Sequence, residues 1–541
     1  MNNSIFSFPT PKNEKIKTYK SLSKERFLLE ECYDKMYKKK IDIPQYIGGK
    51  EIFSEKKIEI KPPHDNKNIV GYWNKGNKKD LLNAIDSCLN AKKKWNKLSW
   101  ENRASIFLKI ADLISGPYRY EINAATMIGQ SKNIYQAEID AIGEMVDFIR
   151  FNVKYMELIY KNQPNSSDKV WNRLEYRPLE GFLLAITPFN FTAISGNLPL
   201  CMAMMGNVVI WKPSNKQIYS ANILMKIFKK AGLPDGVINM VLIDGKSISD
   251  IVLNHPDFSG VHFTGSTEVF NYLWKKIGSN INLYKNYPRI VGETGGKNFI
   301  WSDNTINYNE LITAIIRGAF EYQGQKCSAI SRAYLPRSIW KKFKHLLLKE
   351  VKTIKLGSPR DFNNFINAVI DNNSFERIKG YIERAKKNND IKLLCGGVYD
   401  KTIGYFIYPT IFITKDPNCE IMIEEIFGPV LTIFIYEDKE WENCLNIINN
   451  TSKYALTGSI FSNNRYIIEK ASNILRNSAG NFYINDKPTG AIVGQQPFGG
   501  SRLSGTNDKS GSFINLLRWT SIRTIKENFD PDKKYSYYFM D

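Results

Sequence analysis

Between residues 80 and 160, apolar side chains recur every three to four positions, as in Leu81, Leu82, Ile85 and Leu89, then Ile106, Phe107, Ile110 and Leu113. A helix that buries one stripe needs that period, so 80–95 and 100–160 are expected to form amphipathic helices. The pattern changes at Gly181. Short apolar runs at 181–187, 206–211, 237–243, 259–264 and 288–292 are separated by helical stretches, the trace left by strands buried on both faces. Strands joined through helices imply a parallel sheet, because a parallel neighbour can be reached only by a crossover. A second alternation runs from about 298 to 500, with helices expected near 308–321 and 337–352 and a strand at Val430–Phe434, which predicts a second α/β unit. No Gly/Ser tether or fixed-period repeat separates the two, so they are expected to pack closely with a binding cleft between them.

Composition narrows the function more than the fold. A chain of 541 residues exceeds one ordinary core and suggests two to four packing units. No uncharged apolar run approaches the roughly 20 residues of a membrane span, so no span is expected. The formal charge of +21 would suit a polyanionic partner, but the lysines are spread along the whole length among Asn and Ile, and no specific nucleic-acid partner is expected. Seven cysteines, odd in number and without a C-x-x-C pair, point to a reducing compartment rather than a disulfide framework. With only four histidines a multi-histidine metal site is nearly excluded, no metal is expected, and a reactive cysteine would have to act without an imidazole.

Chemistry concentrates in a few runs. Gly292-Glu293-Thr294-Gly295-Gly296-Lys297 ends a predicted strand, and Cys327, within Gly324-Gln325-Lys326-Cys327-Ser328, follows Glu293 by 34 residues. Thr187-Pro188-Phe189-Asn190, Phe263-Thr264-Gly265-Ser266 and Glu424-Glu425-Ile426-Phe427-Gly428-Pro429 complete the set. Singly each run is weak, since a free cysteine is most often a buried small hydrophobe and a glutamate a cap or surface charge. In this order and spacing the five runs resemble the aldehyde dehydrogenase superfamily.

That resemblance implies a Rossmann-type dinucleotide-binding domain (1–154 and 178–297), a second α/β catalytic domain (298–501) and a small oligomerisation β-flap (155–177 and 522–541). It implies Cys327 as the nucleophile, Glu293 as the base that activates water, and Asn190 with the Cys327 N–H as oxyanion donors. An aldehyde releases hydride only from a tetrahedral alkoxide, which thiolate addition creates. Because a free thiol titrates near about 8.5, Cys327 is expected to need a polar, partly open setting or a nearby cation. The implied cofactor is NAD, with NADP possible: Lys212 and Ser214 at the adenosine ribose, Gly265 and Ser266 at a helix start suited to a pyrophosphate, Glu425 at the nicotinamide ribose and Phe427 beside the ring. There is no G-x-G-x-x-G, which this family does without. Asn215 stands where many relatives carry an acid that repels a 2′-phosphate, so the choice between NAD and NADP stays open.

Within the superfamily the chain is most similar to the 1-pyrroline-5-carboxylate dehydrogenase branch, through Glu180-Gly181-Phe182, Phe191-Thr192-Ala193, Glu321-Tyr322-Gln323 and Gly505-Thr506-Asn507-Asp508-Lys509. The branch implies the substrate glutamate γ-semialdehyde, its carboxylate held by Ser328 and by the Gly490-Ala491 loop, with Phe191 and Phe498 flanking the aliphatic chain. Ala491 replaces a serine of some relatives, which predicts a raised KM rather than lost activity. Another semialdehyde, or a catalytically idle basic binding protein of the same fold, are the alternatives; intact Cys327, Glu293 and Asn190 argue against idleness. A homodimer or higher homo-oligomer is expected, its contacts provided by 155–177 and the Tyr535-Ser536-Tyr537-Tyr538 tail. The branch points to the mitochondrial matrix, whereas an N-terminus with lysines but no arginine before Arg26 leaves the cytoplasm as the alternative.

Overall fold

The structure is a computed structural model that describes residue 4 and residues 6–540. The first helical region resolves into Lys78–Trp95, Trp100–Ser115, Arg119–Gln130 and Met145–Lys161. Local chemistry sets their ends: Asn77 and Asp80 form a capping box, and Ser131 takes a left-handed φ of 54° that stops the third helix. The stretch between the third and fourth helices departs from the expected α pattern, because Glu138–Glu144 is a π-helix. A wide turn of this kind accompanies an inward-facing Asp140, which accepts from the backbone N–H groups of Thr192 (2.9 Å) and Ala193 (2.8 Å) and pairs with Lys132 at 2.7 Å.

Among the described residues there are two seven-stranded sheets. The first runs in the order Arg289–Glu293, Phe258–Thr264, Phe182–Ile186, Val209–Lys212, Ile238–Met240, and these five are mutually parallel as predicted. Gln45–Ile47 and Lys50–Ile52 extend it antiparallel, strands too short for their pattern to be read from sequence. The second sheet orders Ile391–Cys395, Thr410–Thr414, Val430–Tyr436, Ile330–Pro336, Asn298–Ser302, Thr457–Phe461 and Asn481–Ile484, parallel except for the first. Helices Tyr308–Phe320 and Arg337–Val351 cover one of its faces, a core that includes Ile315, Phe343 and Leu431, while Phe375, Leu445 and Trp301 occupy the core on the other. Leu516 and Trp519 return from the far end of the chain into the core of the first unit.

Val170–Pro178 pairs antiparallel with Thr520–Asn528 over nine residues in a two-stranded arm that leaves Trp171 and Ile522 exposed. Residues 155–161 still belong to the preceding helix. Among the described residues no helix is long and apolar enough to cross a membrane.

Candidate active site

Register places the carboxyl ends of four adjacent strands at one edge of the first sheet: Ile186 opposite Lys212, Phe263 opposite Ile186, and Thr264 opposite Glu293. Ligands collect at such an edge because loops and helix N-termini converge there. Lys212 ends its strand half-buried, and burial lowers its ammonium pKa while Asp244 opposes the shift. Ser214 lies in the turn that follows and accepts from the Lys216 N–H at 3.3 Å. Ser266 caps the helix Thr267–Ser279, accepting from the Val269 N–H, and the Gly265 N–H donates to the Glu293 carbonyl at 3.2 Å. These four residues form a group of their own along the strand ends.

The cysteine segment is built differently. Helix Tyr308–Phe320 stops, and Tyr322, Gln323 and Gly324 follow with φ of 52°, 57° and 65°. Left-handed backbone at two non-glycine residues in succession is costly and persists only when neighbours over-determine it. Gln323 supplies that determination: its amide donates to the Ser131 and Ala368 carbonyls at 3.2 and 2.8 Å, and its oxygen accepts from the Asn367 N–H at 2.9 Å. The turn delivers Cys327, half-buried, whose carbonyl accepts from the Asn298 amide at 2.6 Å. The Gly295-Gly296 pair is required by distance. A Cβ on Gly296 would lie 2.2 Å from the Cys327 carbonyl oxygen, and one on Gly295 would lie 2.3 Å from the Glu425 carboxylate. Asn190 donates one amide N–H to the Gln325 carbonyl at 3.1 Å, which fixes its side chain beside the cysteine loop and leaves its second N–H. Among the described residues the Cys327 N–H has no protein acceptor.

Of the two expected settings for Cys327, partly open and polar or beside a cation, the structure shows partial exposure among carboxylates and no cation among the causes of its shift. Burial, then the negative charges of Glu293, Glu425 and Glu144, hold the Cys327 thiol well above its ordinary range, against a lowering by the Ser328 N–H. Burial likewise pushes the Glu293 carboxyl up to about 8, with Lys509 pulling the other way. Glu425 is raised to about 7 by burial and accepts from the Gly296 N–H at 2.8 Å. Phe427 takes a left-handed φ of 53° and meets Phe189 edge to face at 5.8 Å, which joins the Pro-Phe-Asn run to the late Phe-Gly-Pro run.

Ser328 shares a 2.9 Å hydrogen bond with Thr489, the residue before Gly490 and Ala491, so the nucleophile loop and the 490 loop meet. Gly490 has a φ of 85°, and among the described residues neither the Gly490 nor the Ala491 N–H has a protein acceptor. Phe498 lies further along that loop, bridged to Ser510 through two backbone hydrogen bonds. Phe191 stands on the first unit beneath the buried Lys132 ammonium, 4.0 Å from its ring centre. Sequence reading gave no role to Thr489 and Lys509, whose partners lie far away along the chain, nor to Asn298 and the Lys132–Asp140 pair, the latter only eight residues apart. Glu144, pushed up to about 8 by burial and Asp140, was missed as well.

The site's donor set fits a dinucleotide: a cation and a helix N-terminus at the strand ends whose Thr267 and Glu268 N–H groups have no protein acceptor among the described residues, and a carboxylate in Glu425 with an oxygen to spare for a hydroxyl. Comparison with known proteins gives a consistent picture. The aldehyde dehydrogenase family model matches residues 52–525. The mitochondrial delta-1-pyrroline-5-carboxylate dehydrogenase of Dictyostelium discoideum is 50% identical over 537 residues, covering 99% of this chain and 96% of its own. The Homo sapiens protein of the same name is 44% identical, with coverage of 98% and 94%. A crystal structure of the Mycobacterium tuberculosis delta-pyrroline-5-carboxylate dehydrogenase, bound with NAD, superimposes with a TM-score of 0.96 at 45% identity over the whole of both chains. Four motifs that meet around the cysteine loop and at the adjoining strand end, a fifth at the strand ends beside them, and a family match over most of the length lead to one conclusion: the chain belongs to the aldehyde dehydrogenase family.

Proposed function

We propose that the chain oxidises glutamate γ-semialdehyde, the open form of 1-pyrroline-5-carboxylate, to glutamate with NAD, as a step of proline breakdown. The observation that carries this reading is the meeting of three groups: a thiol at Cys327, a carboxyl poised near 8 at Glu293, and the Ser328–Thr489 contact that brings two unpartnered N–H groups to the nucleophile's loop.

Cys327 Sγ forms a bond to the aldehyde carbon as its proton passes to Glu293, and the carbonyl oxygen becomes an alkoxide. The free N–H of Asn190 and the backbone N–H of Cys327 stabilise that oxygen. NAD, when bound, accepts hydride, held by Lys212, Ser214, Gly265, Ser266, Glu425 and Phe427. A thioester then remains on Cys327. Glu293 first releases the thiol's proton to solvent; ionised again, it draws a proton from water, the hydroxide adds to the thioester carbon, the acid forms as the thiolate leaves, and Glu293 returns the water's proton to the Cys327 sulfur. Ser328 and the N–H groups of Gly490 and Ala491 hold the substrate carboxylate, with Phe191 and Phe498 along its methylenes.

Several further assignments belong to the same reading. Residues 1–154 and 178–297 form the dinucleotide-binding domain, and 298–501 the catalytic domain. The arm made by Val170–Pro178 and Thr520–Asn528 joins two copies in a homodimer, supported by its exposed apolar residues. The mitochondrial matrix is the proposed compartment, supported by the name of the Dictyostelium relative. Neutral, exposed Asn215 allows some use of NADP.

The test is the purified chain with glutamate γ-semialdehyde and either cofactor, followed by the absorbance of the reduced nicotinamide. Turnover with NAD that disappears in Cys327→Ala is expected. No turnover, or turnover that survives the substitution, would overturn the proposal.

A further inference from the structure

Residues 6–20 form no regular secondary structure, yet they lie along the first unit as a strap. Ser7 Oγ and the Phe8 N–H donate to Glu157 at 2.9 and 2.8 Å, and Phe8 meets Trp100 edge to face. The Glu14 N–H donates to Asp147 at 2.7 Å, and the Lys17 N–H and Tyr19 hydroxyl donate to Glu138 at 2.9 and 2.8 Å.

One strap residue reaches a late segment of the chain whose Val493 packs into the first unit's core. Asn13 Nδ2 donates to Asp147 Oδ2 and to the carbonyl of Val493, both at 2.8 Å, and Asn13 Oδ1 accepts from Gln495 Nε2 at 2.9 Å. Both N–H groups of that amide are used, and its bond to Val493 spans 480 residues of sequence. The segment it grips is a compact turn. Ile492 O accepts from the N–H groups of Gln495 and Gln496, and the Ile492 N–H donates to Gln496 Oε1 at 2.9 Å. Gly494, with a φ of 83°, lies so close to Phe151 that a Cβ would come within 2.1 Å of its ring. The Gly490-Ala491 peptide therefore hangs between two pins: Thr489 bound to Ser328 on one side, and the 492–496 turn on the other.

We propose that Asn13 is a positioning residue for the carboxylate anchor, holding the 492–496 turn so that the Gly490 and Ala491 N–H groups stay aimed at the substrate. This rests on the reading above that those N–H groups bind the substrate carboxylate. A binding donor misplaced by a fraction of an ångström loses strength steeply, whereas among the described residues no hydrogen bond joins Cys327 itself to this loop, which meets it only through Ser328. The consequence is selective: an aldehyde without a carboxylate should not register the loss.

The experiment measures kcat and KM of the full chain, as wild type, Asn13→Ala and Gln495→Ala, with glutamate γ-semialdehyde and with propanal. Asn13→Ala should raise KM for glutamate γ-semialdehyde about threefold to tenfold while kcat, and KM for propanal, stay within about twofold. Gln495 is exposed and its loss removes one bond of the three, so Gln495→Ala should act in the same direction by less, and it decides the matter if Asn13→Ala fails to fold. Equal changes for both aldehydes, or no change in either variant, would overturn the role of Asn13. If wild type prefers glutamate γ-semialdehyde and both variants keep that preference, only this inference fails. If wild type shows no such preference, the substrate reading fails first and the inference falls with it.

Discussion

The strand-end group of the first sheet and the cysteine loop of the second unit are built by opposite means. Lys212, Ser214, Gly265 and Ser266 sit in ordinary backbone, on a strand end, a turn and a capped helix, with few long-range partners. The loop from Tyr322 to Cys327 instead begins with three successive left-handed residues, clamped by Gln323, crowded by two glycines and ringed with buried carboxylates. A surface that binds by exposed N–H groups and charge needs only what a regular element already offers. A nucleophile that must be aimed needs strain, and strain must be held by contacts elsewhere.

The largest expected difference between the two regions lies at the sulfur. Cys327→Ala should lower turnover by at least about 1,000-fold while leaving NAD affinity unchanged, read by steady-state rates and by calorimetric titration of the cofactor. A matched glycine pair tests the difference in tolerance. Gly296→Ala pushes a methyl into the Cys327 carbonyl and should cut kcat by about 100-fold, since a misplacement of about an ångström has that effect. Gly265→Ala meets only the Phe263 ring, which can turn aside, and should raise the cofactor KM a few-fold with kcat retained. If both substitutions proved equally harmful, the contrast between the regions would be false.

Smaller effects are expected around the cysteine loop. Gln323→Ala removes three hydrogen bonds from the left-handed turn and should destabilise the chain by about 2–4 kcal/mol, read as a lower urea midpoint for loss of activity. Ala491→Ser adds a hydroxyl beside the anchor and should lower KM for glutamate γ-semialdehyde by about tenfold. In the pH profile, Glu293 must be ionised to take a proton, so activity should rise as pH passes about 8. The Lys509 charge lowers that carboxyl, so Lys509→Met should move the rising limb to higher pH, by less than about one unit. A limb that stayed in place would remove Lys509 from the site.

Much of the architecture was legible because burial writes itself into periodicity. The five parallel strands of the first sheet, helix Trp100–Ser115 and strand Val430–Tyr436 each carry a pattern that alternative folds would not bury. The π-helix was not legible, since its extra residue per turn answers to Asp140 reaching Lys132 and the start of another helix, and no local propensity marks it. The Glu293 and Cys327 runs stood out because the chemistry and close approach they support demand fixed residue types side by side, above all Gly295-Gly296. Thr489 and Asn13 did not, because a threonine or an asparagine in a loop carries no signal until its partner, 161 or 480 residues away, is known.

By itself the order of residues determined which segments would be buried and the parallel character of the first sheet, because both follow from local spacing and side-chain type, and it nominated Cys327 and Glu293 through the resemblance their runs carry. Only the folded chain decided the charge around the Cys327 thiol. Of the expected alternatives, a partly open polar setting or a nearby cation, the fold gives a half-buried thiol beside three carboxylates, since desolvation and Coulomb interactions act through space between residues as distant in sequence as Glu144, Glu293 and Glu425.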